Sequence, residues 1–198
     1  MSEFWAKFIK IDKEVFRFDT RIYLAAVKQP QPNDHCIGAI VGKNPGSAEW
    51  SNNISLELQY INLNGDKLLP TVRNIIRKAY ETSGKQLPKN SYVQVLNLFY
   101  LCEKDLKTAT NKLKLSSELK YCESEMGEFK WVWYLWGGNN KKLNEFKGRF
   151  ANINAKMHFF VAKDSLLVTN MRPTPSDFAK HTQGMKQQEI IGFISKIL

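Results

Sequence analysis

The sequence predicts an α/β domain of three layers, with helices on both faces of a central, mostly parallel sheet of four to five strands. Two observations carry this expectation: short apolar runs of the buried-strand type alternate with segments of helical periodicity, and a polar segment directly follows each of the best runs. A third bears on organisation. The 198 residues are 43% hydrophobic and contain no repeat and no long linker, so residues 1–198 read as one domain with its own core.

Residues 3–9 read as a short amphipathic helix, and Glu14 to Val27, rich in Phe, Ile, Tyr and Val, as extended structure. Pro30, Pro32, Asn33 and Asp34 then interrupt regular structure. Cys36 to Val41 is a wholly apolar run of the buried parallel type, ended by Gly42. Leu69, Val72, Ile75, Ile76 and Ala79 recur at spacings of three and four, which predicts a helix over Leu68 to Tyr80 closing near Gly84. Tyr92 to Leu98 is a second buried strand, Asp105 to Lys120 has helical character, and Lys130 to Trp136 is a third strand ending at Gly137-Gly138. A helix follows over Asn140 to Phe150. His158 to Thr169 reads as a strand pair broken at Lys163-Asp164, Asn170 to Gly184 as a long polar segment, and Lys186 to Leu198 as the closing helix.

Lys and Arg number 29 against 19 Asp and Glu, for a net charge of +10, and polyanions gain most from such a balance. No apolar stretch approaches the ~20 residues of a membrane helix. The N-terminus lacks a secretory h-region, so the expected compartment is the cytoplasm, without membrane association. Three cysteines, Cys36, Cys102 and Cys122, suit reduced thiols better than a disulfide framework, and the widely separated His35, His158 and His181 offer no metal-ligand spacing. No metal or cofactor is expected.

Four polar segments follow the four best strands: Gly42 to Ser47, Asn97 to Phe99, Trp136 to Asn140, and Asn170 to Ser176. In an open α/β sheet such loops converge on one cleft at the carboxyl ends of the strands. Taken together, Gly42-Lys43-Asn44-Pro45-Gly46, Leu96-Asn97, Tyr134-Leu135-Trp136-Gly137 and Arg172-Pro173-Thr174-Pro175-Ser176 resemble, in order, the motifs of the uracil-DNA glycosylase superfamily, the first being most similar to its mismatch-specific branch. The gaps between them are long enough for strand–helix crossovers. Asn44 to Ala48 is also similar to the Asn-Pro-Ser-x-Ala signature of an uncharacterised bacterial domain family.

The resemblance implies a uracil-DNA-glycosylase-like fold and a monomeric, monofunctional DNA glycosylase that flips a uracil-like or modified pyrimidine and hydrolyses its N-glycosidic bond. Asn44 would orient the attacking water; because an amide takes up no proton at neutral pH, turnover would be slow. Asn97 would read the edge of the flipped base, and Trp50 would stack on it or pack in the core. Gly42, Lys43, Pro45, Gly46, Ser47, Phe99 and Ser176 complete the implied pocket. The last motif offers either Arg172 or Asn170 as the donor to the departing base. Phe178 or Met171 would wedge the duplex, and Lys141, Lys142, Lys180, Lys186 and His181 would face phosphates. Gly46-Ser47, where strict uracil enzymes carry a bulky aromatic, implies room for a modified cytosine such as those of viral DNA. Two other readings stand beside this one: a non-catalytic nucleic-acid-binding domain, and a domain binding a free nucleotide or a protein.

Overall fold

A computed structural model describes residues 1–46, 57–115, 121–138, 140–165 and 167–198. Its centre is an eight-stranded sheet in the order β4-β1-β2-β5-β3-β6-β7-β8. The strands are β1 (Ser2–Ile11), β2 (Glu14–Val27), β3 (His35–Gly42), β4 (Gln59–Tyr60), β5 (Ser91–Asn97), β6 (Val132–Tyr134), β7 (His158–Val161) and β8 (Val168–Thr169). Four helices accompany them: α1 (Leu68–Ser83), α2 (Leu106–Leu115), α3 (Asn144–Gly148) and α4 (Gln187–Ile197).

This architecture overturns the expected mostly parallel sheet of four to five strands. The sheet is mixed and mostly antiparallel: β1 pairs antiparallel with β4 and β2, β2 with β5, and β7 with β8, while only β5, β3, β6 and β7 run parallel. The difference begins at residues 3–9, which form part of β1 instead of a helix. Phe4 and Phe8 stand four apart, a spacing that a helical period of 3.6 and a strand period of two both satisfy. Ala6 settles it, joining both phenylalanines in one core while Trp5 packs in another with Tyr23 and Val27. The chain reverses at Asp12, whose φ of 57° brings Ile11 opposite Glu14 and extends the sheet antiparallel from β2.

One face of the sheet carries α1 and α4. There Leu69, Val72, Ile75, Ile76 and Ala79 meet Ile190, Ile191 and Ile194 over Ile40, Val93, Val95, Trp131 and Trp133. Helix α1 follows its sequence period and stops at Gly84, whose φ of 67° is the left-handed cap that favours glycine. The opposite face carries Ala109 and Leu113 of α2, Phe146 of α3, and Leu143 and Phe150 of the flanking 3-10 turns, packed on Val41, Leu96, Tyr134 and Trp136. The single helix expected over Asn140 to Phe150 is divided into a turn at Lys141–Leu143, the short α3, and a turn at Arg149–Asn152. Trp131 and Trp133 share one face, as alternation requires, and Trp136 lies buried on the other.

Among the described residues, no helix is long and apolar enough to cross a membrane. Cys36, Cys102 and Cys122 are free thiols.

Candidate functional site

Strands β3 and β5 run parallel and end side by side, with Gly42 opposite Asn97. A Cβ at Gly42 would lie 2.9 Å from Asn97 Oδ1, so the glycine is what lets the asparagine side chain lie across the strand end. Beyond Gly42 the chain turns through Asn44 and Pro45 to Gly46, which holds a φ of 70°. Helix α1 begins facing this turn, its first amide capped by Asp66: Leu68 N donates to Asp66 Oδ1 at 2.8 Å. Between the strand ends and the helix lies a cleft of about 490 Å³ whose polar lining includes Arg17, Asn44, Asp66, Asn97, His181 and Gln183.

The hydrogen bonds of these side chains define what they offer. Asn44 Nδ2 donates to the Glu103 carbonyl at 3.2 Å, which directs the amide and leaves Oδ1 as an acceptor. Asn97 is 1% exposed, and its Nδ2 has no hydrogen-bond partner among the described residues. His181 Nδ1 accepts from Gln183 N at 3.3 Å. Burial first, and the Lys43 ammonium second, hold the His181 imidazole below its usual value of 6.5, favouring the neutral ring. Arg17 is 2% exposed, and neither Nε nor Nη1 finds a hydrogen-bond partner among the described residues. Desolvation lowers its pKa, and the nearby Cys102 and Asp66 act against that lowering through space.

Asn44, Pro45, Gly46, Asn97 and His181 therefore line one cleft, though the motifs that suggested them are far apart in sequence. Lys43 reaches sideways instead, its Nζ 3.7 Å from where a Cβ on Gly137 would stand at the end of β6. Phe178 and Lys180 reach the adjoining strand ends. Gly137 N donates to the Ala179 carbonyl at 2.7 Å, Lys180 N donates to the Val161 carbonyl at 2.7 Å, and the Phe178 ring covers Gly138. Lys141 and Lys142 are exposed on the turn that follows β6.

Other candidates lie elsewhere. Phe99 is buried on the opposite face, its ring centroid 5.8 Å from that of Phe146. Ser176 is exposed and bonds Thr174 Oγ1 at 2.9 Å. Asn170 is exposed just after β8. Arg172 sits at the amino end of β7, the far end of the parallel strands from the cleft: its Nη2 lies 2.9 Å from both the Ile153 carbonyl and His158 Nε2, and its Nη1 donates to the Ala151 carbonyl. The antiparallel return of β8 is the cause, since it carries the chain back past β7 before residues 177–181 cross to the strand ends. The crossing is pinned by Trp136 Nε1 donating to the Asp177 carbonyl at 3.2 Å and Lys147 Nζ donating to the Pro175 carbonyl at 2.9 Å. Ser47 and Trp50 lie outside the described residues.

Sequence reasoning missed Arg17 and Asp66. A signal for Arg17 existed: a cation flanked by Phe16 and Phe18 in a strand. Alternation turns it away from those two rings and onto the face of Val95 and Asn97. Asp66 had one too, an acidic residue just ahead of the helix predicted from Leu68, but its place on the cleft is set by the fold.

A larger cleft, about 590 Å³, opens beside β2 and β5 near Lys7, Asp19, Arg21, Tyr92 and Cys122. Its buried charges pair with each other, Arg21 being bonded to Asp19 through both Nε at 3.2 Å and Nη2 at 3.0 Å. The smaller cleft, with unpaired buried donors, is the better candidate for a ligand. Among the described residues no group of three or more His, Cys, Asp or Glu gathers as a metal site. Comparison with protein-family models, curated proteins and solved structures yields no match to this chain.

Proposed function

We propose that the protein is a monofunctional DNA glycosylase that hydrolyses the N-glycosidic bond of a flipped pyrimidine, using the cleft at the ends of β3 and β5. The observation that carries this reading is the meeting of Asn44 and Asn97 in one cleft with the His181 imidazole. Hydrolysis needs a held water on one side of the sugar and donors for the departing base on the other. Asn44 would orient the water through Oδ1, the acceptor of an amide whose Nδ2 is engaged by the Glu103 carbonyl. Asn97 Nδ2, which has no hydrogen-bond partner among the described residues, is a donor for a base carbonyl. His181 shares the cleft, whereas Arg172 is engaged at the other end of the parallel strands, so His181 takes the donor role that the last motif suggested for Arg172 or Asn170. Phe178, over Gly138, stands at the adjoining strand end as the wedge, and the net charge of +10 favours DNA as the partner.

The test is formation of alkali-labile abasic sites on labelled oligonucleotides containing uracil, thymine mismatches, hydroxymethylcytosine or glucosylated cytosine, single- and double-stranded. Strand scission on at least one of them is expected, and Asn44→Ala should abolish it while leaving DNA binding near the wild-type level. A second reading, a non-catalytic nucleic-acid-binding domain, is favoured by the amide at position 44, where a proton acceptor would speed hydrolysis. Blank lanes with intact, salt-sensitive DNA binding would select that reading.

A further inference from the structure

We infer that the cleft at the ends of β3 and β5 is built to hold a planar oxyanion of the acidic-imide kind, with Arg17 as its counter-charge and Asn97 Nδ2 as its second donor. The inference extends the glycosylase reading by naming the charge that the site accommodates. A departing pyrimidine is such an anion, yet binding can be measured without any bond being cut.

Three observations support it. First, Arg17 is almost wholly withdrawn from water, and its Nε and Nη1 make no hydrogen bond among the described residues. A buried cation with unpaired donors is among the costlier features a fold can keep, and native proteins retain few. Asp66 and Cys102 act on the guanidinium only through space, and Asp66 Oδ1 is already engaged by the first amide of α1. Second, Asn97 Nδ2 is a second buried donor without a partner, and it lines the same cavity. Two orphaned donors on one wall describe the complement of a ligand that carries acceptors.

Third, the remaining lining selects among anions. Leu68, Leu69 and Val95 supply apolar wall, while Asn44 offers an acceptor and Asp66 a carboxylate. Acceptors and a negative charge disfavour a phosphate, which is tetrahedral, strongly hydrated and largely dianionic around neutral pH. A ring with N–H donors beside charged or polar carbonyls satisfies both the donors and the acceptors of this lining.

The experiment titrates four probes into the wild-type protein, Arg17→Met and Arg17→Lys at neutral pH, reading heat of binding and Tm. The probes are barbituric acid, which is an anion at that pH, 5-fluorouracil, uracil and orthophosphate. The wild type is expected to bind barbiturate most tightly, then 5-fluorouracil, then uracil, with orthophosphate weakest. Arg17→Met should lose at least about tenfold in barbiturate affinity, and Arg17→Lys should retain part of it. Arg17→Met alone should melt at or above the wild-type temperature, because it removes an unpaired buried charge, whereas a structural arginine would lower Tm on removal.

Equal barbiturate affinity in the wild type and Arg17→Met overturns the inference, as does a wild type that binds orthophosphate more tightly than barbiturate or binds neither. If Arg17→Met does not fold, the wild-type ranking and the Arg17→Lys affinity decide by the same criteria. The glycosylase reading fails separately: Arg17-dependent barbiturate binding with no base released from any oligonucleotide keeps this inference and removes that one. Base release at the wild-type rate in an Arg17 variant does the reverse.

Discussion

At the scale of single residues, the molecule keeps polar groups where burial penalises them, and each case makes a claim about role. Gly42 leaves room for the Asn97 amide, with a Cβ there standing 2.9 Å from Oδ1. Gly42→Ala should therefore displace that amide: barbiturate binding or base release should fall about tenfold, while urea unfolding changes by only about 1–2 kcal/mol. Glu125 is a different case. Its Oε1 accepts from Tyr100 Oη at 2.6 Å and from Cys122 N at 3.1 Å, and its Oε2 faces Arg149 Nε at 2.9 Å, beneath the opposite face of the sheet. The two donors to Glu125 and the ion pair make this network structural, and Glu125→Ala, which would strand Arg149, should cost about 3–5 kcal/mol in denaturant unfolding. Arg17 is buried and Arg149 half-buried, and the Glu125 carboxylate 2.9 Å from Arg149 Nε, with none in ion-pair contact with Arg17 among the described residues, separates the scaffold from the ligand site.

At the scale of elements, β3 is held on both sides by parallel neighbours and passes close beneath an indole. A Cβ on Gly38 would lie 2.2 Å from Trp131 Cε2, closer than any relaxation of a packed ring can absorb. Gly38→Ala should lose about 3 kcal/mol or more by urea midpoint, and smaller β-strand substitutions at solvent-facing Lys10 should lose almost nothing. The segment between β8 and α4 is the element on which the site most depends. Its turn, closed by Thr174 N donating to Asp177 Oδ2 at 2.7 Å, is tied to the α3 side of the sheet, and its continuation delivers His181 to the cleft on the other side.

At the scale of the whole molecule, two histidines couple stability to pH. His158 is held between Tyr134 Oη at 3.0 Å from Nδ1 and the Arg172 guanidinium at 2.9 Å from Nε2. The guanidinium must donate, so Nε2 accepts and the proton resides on Nδ1, facing Tyr134: the geometry selects the neutral ring. Burial first and the Arg172 charge second lower its pKa from 6.5, and His181 is lowered by burial and then Lys43. The unfolded chain therefore binds protons that the folded one does not in the interval below 6.5. Stability should be full above that pH and fall as pH drops through the lowered folded values, and His158→Gln should flatten part of the decline in Tm between pH 7 and 5. The net charge of +10 makes a separate prediction: log affinity for DNA should fall linearly with log salt concentration, and a flat dependence would remove DNA as the partner.

What the sequence determined by itself lies in its periodic segments. Helix α1 could be read because its buried residues repeat at three and four, β3 because an uninterrupted apolar run has few other uses, and β5 because its mostly apolar run is broken only by Gln94. Asn44 and Asn97 could be picked out because each directly follows or ends such a run, and strand ends are where parallel sheets expose their loops. Tertiary structure decided the rest. Residues 3–9 became β1 because Phe4 and Phe8 satisfy two periods equally, and only pairing with β2 distinguishes them. The last motif did not supply the cleft, Arg172 remaining at the amino end of β7 while His181, read from sequence as phosphate-facing and lying beyond that motif, reaches it, because β8 returns antiparallel and reverses the direction of approach. Arg17 entered the site because its strand lies next to β5 in the sheet, with Asn97 on the same face. Local patterns report which face of an element is apolar, but which elements are neighbours depends on free-energy differences between whole packings, and the composition of this cleft was decided there.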